Sequence, residues 1–297
     1  MRQILARLTL SCPTTMIPRL LPLFAILLGC PVKILACLKQ VPDANSRLAP
    51  DADGQWIETD GLAMTANEFD LFGLELALKL KDADGDIEIV VVTIGDDGCK
   101  QDVRKALARG ADRAVLLSDP AFAGGDPWSN SATLAAVAEK EGPFDIVVTG
   151  LQAWDDNFGQ TGPLLAERLG TSCATGIMSM QVDGDALVVE RELEGDAREV
   201  VKMSLPALVS VQTGAGDGPP RYPNIKGIMA AKKKPMTQPT PDELGVSADA
   251  VGAAGRRLEV VSLKEPEKTE GAEMLTGSNE EIAAELVRRI RERTGVL

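Results

Sequence analysis

The residues best suited to chemistry stand close together between positions 146 and 163. Ile146, Val147, Val148 and Thr149 make a β-branched run that suits a buried strand, and Gly150 ends it where the chain can turn without a Cβ. A polar loop follows, holding Gln152, the adjacent acids Asp155 and Asp156, then Asn157, Phe158, Gly159 and Gln160. Thr161, Gly162 and Pro163 open an apolar helix pattern that runs to 169; Pro163 suits a first helical position, where its missing N–H would have no partner anyway. Such a loop can take an anion on the free amides of the helix N-terminus. Its two acids can bind Mg2+, act as acid and base, or accept hydrogen bonds from a ribose. A plain polar connection between strand and helix is the remaining alternative.

Other chemistry is narrowed by what the chain lacks. There is no histidine, which removes His-based triads, His metal ligands and the usual near-neutral general base. Glycines 95, 98 and 150 allow close backbone approach, but neither the dinucleotide nor the triphosphate glycine fingerprint occurs. Cys99, at a helix start, is either a thiol activated by the helix dipole or, with no base beside it, a buried structural residue. The five cysteines, at 12, 30, 37, 99 and 173, show no CxxC spacing and read as reduced thiols of a cytoplasmic protein. A net charge of −13 argues against nucleic acid and against an anionic membrane surface.

The surrounding pattern shows how these residues are positioned. Strands are expected at 33–39, 87–94, 114–117 and 144–149, separated by helices that open at Asn67, as N-cap, and cover 100–108 and 129–141. The run at 87–94 is apolar nearly throughout, as in a parallel strand buried on both faces. This alternation predicts an α/β fold with a mainly parallel sheet flanked by helices. After Gly170, strands at 177–182, 186–193 and 199–203 read as a small antiparallel section, and 205–211 as a strand returning to the main sheet. A hydrophobic content of 44% with only 3% aromatics implies an aliphatic core.

Beyond Thr213 the chain is expected to have little core of its own. Glycines and prolines surround Arg221 and Tyr222, and they predict a loop outside helix and sheet that nevertheless carries Tyr222, Ile225, Ile228 and Met229. Apolar residues in an exposed loop mark an interaction site, with folding back onto the sheet as the alternative. A strand is expected at 258–263 and an amphipathic helix at 279–293, with Ile282, Leu286, Val287 and Ile290 on one face. At the other end, Arg2 and Arg7 precede an apolar stretch over 20–28 that ends near Cys30, much like an export signal. The stretch is short and broken by Pro18 and Pro22, so no membrane span is expected. The first strand follows with no spacer, so residues 1–31 read as an upstream extension outside the fold. The expected organisation is 1–31 as extension, 32–213 as the α/β domain and 214–297 as loop and arm.

Two motifs carry a resemblance. Gln152-Ala153, Asp155-Asp156 and Gln160-Thr161-Gly162 resemble the nucleotide-binding loop of electron transfer flavoprotein β subunits, and residues 221–235, from Arg221-Tyr222-Pro223-Asn224-Ile225 to Lys232-Lys233-Lys234-Pro235, resemble that family's partner-recognition segment. The similarity runs from about Val32 to the C-terminus. It implies a Rossmann-like, adenine-nucleotide-binding domain whose C-terminal arm packs on an α subunit. It further implies a heterodimer with one FAD held mostly by that α subunit, and an AMP of structural role in the β subunit. By motif match, Asp156, Phe158, Gly159, Gln160 and Thr161 would surround phosphate and ribose, with Cys37, Asn67, Ile94 and Gly95 completing the pocket. Phe69 matches an aromatic that approaches the flavin, whereas Ala44 stands where some members have an aromatic. Ile225 occupies the place of an aliphatic anchor for a partner dehydrogenase, among Arg221, Tyr222, Ile228 and Met229. The implied role is an electron carrier without catalytic residues or metal, passing electrons from flavin dehydrogenases, such as acyl-CoA dehydrogenases, to a quinone reductase or similar acceptor. Members with a second FAD resemble Asp-Gly-Asp-x-x-Gln-Val-Gly-Pro at this loop; Asp155-Asp156 without a glycine between, and Thr161 for valine, favour AMP. The alternatives are that two-flavin type and a stand-alone adenine-nucleotide-binding enzyme.

Overall fold

A computed structural model of the chain describes residues 32–267 and 271–295. The signal-like segment and the extension at 1–31 lie outside the described residues. The chain divides into two compact units: residues 59–260 with the described residues up to Arg47, and residues 48–58 with the described residues from Val261 on.

In chain order the first unit contains β1 (Val32–Leu38), β2 (Gln40–Pro42), β3 (Met64–Ala66), α1 (Glu68–Asp84), β4 (Ile87–Ile94), α2 (Lys100–Arg109), β5 (Arg113–Leu117), α3 (Pro127–Glu141), β6 (Ile146–Gly150) and α4 (Thr161–Leu169). It continues with β7 (Ser172–Asp183), β8 (Ala186–Glu192), β9 (Arg198–Ser204), β10 (Ala207–Val211), α5 (Ile225–Ala231), β11 (Met236–Thr237), α6 (Pro241–Leu244) and α7 (Gly252–Gly255). The main sheet has nine strands in the order β11-β5-β4-β1-β6-β10-β7-β8-β9. Pairing is parallel from β11 to β7 and antiparallel through β8 and β9. The fold is therefore the mainly parallel α/β arrangement that the alternating pattern predicts.

Strand periodicity sorts the core into two layers. Ile34, Ala36, Ile89, Val91, Ile146 and Val148 pack on one face with α1 and α2. Leu35, Val90, Val92, Val147 and Leu208 pack on the other with α3 and α4. Both faces of the parallel strands are thus covered, which explains their unbroken apolar sequence. The antiparallel part contributes Met180, Leu187, Val189 and Met203 to the first layer only, matching its alternating pattern.

Several local expectations change. Strand β7 begins at Ser172, five residues before Ile177, because it pairs in parallel with β10 before turning to β8. Helix α4 starts at Thr161, so Pro163 is its third residue and not its first; the missing N–H is still among the four without an intrahelical acceptor. The stretch after Thr213 is more tightly packed than its composition suggests. Ala231, Leu244 and Val251 are buried in the core layers, and β11 extends the sheet beside β5. No strand forms over 258–263. The amides of Arg257 and Leu258 instead donate to the Asp126 carboxylate, at 2.6 and 2.8 Å. That carboxylate also caps α3 through Ser129.

The second unit contains a turn closed by an antiparallel bridge between Pro50 and Ile57 and by Glu58 N–H donating to Ala49 O. It also contains α8 (Asn279–Thr294), capped by Ser278 and Glu281, with no buried residue and with Leu286 and Val287 exposed. Among the described residues, no helix is long and apolar enough to cross a membrane.

Candidate functional site

Strand β1 lies between β4 and β6, and the chain proceeds from β1 to β4 on one side while β6 flanks the other. In open α/β sheets, ligands bind outside the carboxyl ends of the strands at such a reversal. The structure brings together there Cys37 and Lys39 at the end of β1, Ile94 and Gly95 at the end of β4, the first turn of α1 and the loop at 151–160. The pairing Leu38↔Thr93 sets Ile94 beside Lys39.

Asp70 joins the two central strands. One carboxylate oxygen accepts the amide of Lys39 and the other that of Gly150, each at 2.8 Å. Burial pushes this carboxyl up to about 7, while the two amides, the Asn67 side chain and the Lys39 charge pull the other way. Cys37, next to it, is pushed well above the thiol range by burial and then by the charge of Asp70. It is half-buried and packs beside the second core layer. Gly150 is required here: a Cβ on it would run into Asp70 and the Cβ of Phe69.

The loop itself is tied across the crevice by long-range bonds. Asn67 stands at the N-cap position of α1 but makes no side-chain cap. Its amide donates instead to Gln152 O at 2.9 Å, and its carbonyl accepts from Trp154 N at 3.4 Å. The Trp154 indole N–H donates to Pro42 O at 2.8 Å. Lys39 Nζ lies 2.7 Å from Asp155 Oδ1 and 2.7 Å from Asp156 Oδ2. Burial lowers the Lys39 ammonium, but the two carboxylates outweigh it and hold the group above its ordinary value. Asp156 Oδ1 also accepts the amide of Phe158, and Asn157 and Gly159 both take positive φ, 52° and 61°. Phe158 and Gln160 are exposed.

Helix α4 begins at the carboxyl end of β6. A Cβ at Gly162 would lie 2.6 Å from Ser210 Oγ and 2.7 Å from Thr149 Oγ1, so only glycine lets the first turn settle over β6 and β10. The amides of Thr161 and Gly162 have no intrahelical acceptor. The site therefore offers helix-end donors for an anion and two carboxylates able to accept hydroxyl groups. These are the parts that a nucleotide's phosphate and ribose require.

Sequence reasoning missed Lys39, Asp70 and Trp154. Lys39 is a lone cation at a strand's carboxyl end, a signal that was visible. The bonds of Asp70 and Trp154 join segments far apart in sequence, and nothing local announces them.

The second candidate region stands apart. Arg221 donates from its backbone N and its guanidinium to the buried Glu75 carboxylate at 2.9–3.0 Å, and from Nη2 to Asp82 at 2.7 Å. Arg109 Nε donates to Arg221 O. The expectation of a loop outside helix and sheet is corrected, since Ile225–Ala231 is helical. Asn224 caps it by accepting Gly227 N–H at 2.7 Å, and Gly227 is small enough to rest on the Ala108 carbonyl of α2. On this helix and just before it, Ile225 is 82% and Tyr222 85% exposed, with Ile228 and Met229 also exposed.

Other features take no part. The Cys99 thiol is buried and pushed up to about 12, by burial first and then by Asp96 and Asp102, the opposite of the shift that an activated thiol needs. Among the described residues, no group of three or more His, Cys, Asp or Glu is placed to hold a metal ion. A hollow of about 290 Å³ beside the antiparallel strands is lined by Leu76, Lys79, Gln181, Glu190 and Asp217 and shares no residue with the crevice.

Comparison with known proteins matches residues 55–244 to the electron transfer flavoprotein domain. The chain is 36% identical over 263 residues to the caffeyl-CoA reductase-Etf complex subunit CarD of Acetobacterium woodii, covering 88% of this chain and 99% of that one. It is 36% identical to the electron transfer flavoprotein subunit beta of Methylophilus methylotrophus, covering 89% and 100%. The human subunit beta is 33% identical, covering 86% and 96%.

Proposed function

The chain belongs to the electron transfer flavoprotein family, and we propose that it is the β subunit of a two-chain electron carrier, with AMP in the crevice between β1 and β6. The observation that carries this is the loop at 151–160, tied by Asn67, Trp154 and Lys39 across the sheet's reversal point, with the first amides of α4 beneath it. A phosphate would rest on the amides of Gln160 to Gly162, and Asp156 would accept a ribose hydroxyl. Phe69, half-buried against Gly150, is the residue of this chain that would approach a flavin held mostly by the α subunit. A bound flavin supplies the electron acceptance and release; this chain binds, orients and excludes water.

Electrons would come from flavin dehydrogenases, such as acyl-CoA dehydrogenases, and leave to a quinone reductase or similar acceptor in the cytoplasm. Docking would use Ile225, flanked by Tyr222, Ile228 and Met229. A second reading, with a second FAD in place of AMP, draws on the similarity to a subunit of a reductase-Etf complex. Co-purification with an α-type chain followed by mass spectrometry of released nucleotides separates the two. One AMP and one FAD per dimer are expected; two FAD would establish the second reading, and no nucleotide would overturn both.

A further inference from the structure

Lys39 is held from both ends. Its backbone amide is fixed by Asp70, which also holds Gly150, so its position is set by the two strands that bound the crevice. Its ammonium is shared between Asp155 and Asp156, more than a hundred residues further along the chain. The Asp155 and Asp156 side chains are only 6% and 17% exposed, while that of Lys39 is 37% exposed. Two adjacent, largely buried carboxylates repel one another and repel any anion brought near them. In partial burial this cost is far larger than in water. A loop that is to receive a phosphate has, in these two acids, charge of the wrong sign. One cation bonded to both offsets half of that charge and turns both side chains inward, away from water. It also fixes the segment leading into Asn157 and Gly159, whose left-handed backbones set the path to α4.

We propose that Lys39 is a positioning residue for the nucleotide: it latches the 151–160 loop over the crevice and offsets one of its two carboxylate charges, so that a mononucleotide phosphate can sit on the first amides of α4. This rests on the nucleotide reading given above. Removal of the cation leaves two unpaired carboxylates, which turn outward to water, open the loop and leave the phosphate facing net repulsion.

The test uses the complex with its α subunit. AMP retained after dialysis and AMP affinity by titration calorimetry are compared for the unaltered protein, Lys39→Met and Lys39→Arg. Lys39→Met is expected to weaken AMP binding by about ten- to a hundredfold, and Lys39→Arg to keep most of it because the charge remains. Adding Asp155→Asn to Lys39→Met should restore part of the loss, since it removes the excess negative charge. Amide hydrogen exchange without added nucleotide should rise over 151–160 in Lys39→Met while the strands of the sheet stay protected, and should not rise in Lys39→Arg; a general loss of folding would raise exchange throughout. Lys39→Met binding AMP as the unaltered protein does, or Lys39→Arg failing as badly as Lys39→Met, would overturn the latch. If the unaltered complex binds no AMP, the nucleotide assignment fails, and the exchange rates alone then decide whether the latch exists.

Discussion

The crevice loop at 151–160 and the segment at 221–231 are both connections set on the same sheet, yet they are built in opposite senses. In the first, the Asp155, Asp156 and Trp154 side chains turn inward to Lys39 and Pro42 and the Gln152 carbonyl accepts from Asn67, so the loop covers strand ends. In the second, the polar anchor is underneath, Arg221 on Glu75, and the apolar side chains of Tyr222, Ile225 and Met229 are turned to solvent. Each is fastened by a charge whose partner lies on a distant element. An inward-facing polar loop is the kind of cover that the proposed nucleotide would need. An outward-facing apolar helix anchored from below would suit the proposed docking of a large partner, because ordering it in advance lowers the entropy lost on docking.

Three substitutions test that contrast. Glu75→Ala should have the largest effect on stability, about 2–3 kcal/mol, since it strips the buried partner of Arg221 while leaving Asp82 to hold part of the charge. Its denaturant midpoint should fall and exchange at 221–231 should rise, with AMP content unchanged; loss of AMP instead would show that the two regions are coupled.

Asp70→Asn should cost about 1 kcal/mol, because one of two strand amides loses its acceptor. Its pH dependence carries more information. A carboxyl that titrates near 4 when unfolded and at about 7 when folded takes up a proton on folding between those values. The acid therefore loses stabilising effect as pH rises from about 4 to 7, and stays constant above that. The stability gap between the unaltered protein and Asp70→Asn should narrow over this window. A gap that stays constant from about 4 to 7 would mean that the Lys39 and Gly150 amides outweigh burial and keep the group ionised.

Ile225→Ala should change stability least, by less than about 0.5 kcal/mol, because the side chain is in water. Burying it in a partner is worth roughly 1.5–3 kcal/mol, so electron transfer from a cognate dehydrogenase at sub-saturating protein should slow by about ten- to a hundredfold. Unaltered transfer would remove Ile225 as the anchor, and a large fall in stability would make it a core residue.

Sequence alone determined whatever depends on near neighbours. The unbroken apolar run at Ile87–Ile94 and the β-branched run ending at Gly150 were legible as buried strands, because burial on both faces leaves no polar position to alternate. The polar loop before Thr161 was legible as a candidate site, since turn residues before a helix start are a local signal, and its likeness to a known motif supplied the nucleotide proposal. The helix at Ile225–Ala231 was hidden, because prolines and glycines nearby suggested a loop, and what stabilises it is the α2 backbone under Gly227, the Asn224 cap and the burial of Ala231. Tertiary structure alone decided that Lys39 meets Asp155 and Asp156, that Asp70 joins β1 to β6, and that Arg221 lies on Glu75. A strand's periodicity is written within a few residues, whereas an ion pair is chosen by which strands become neighbours, and that order emerges only when the sheet assembles.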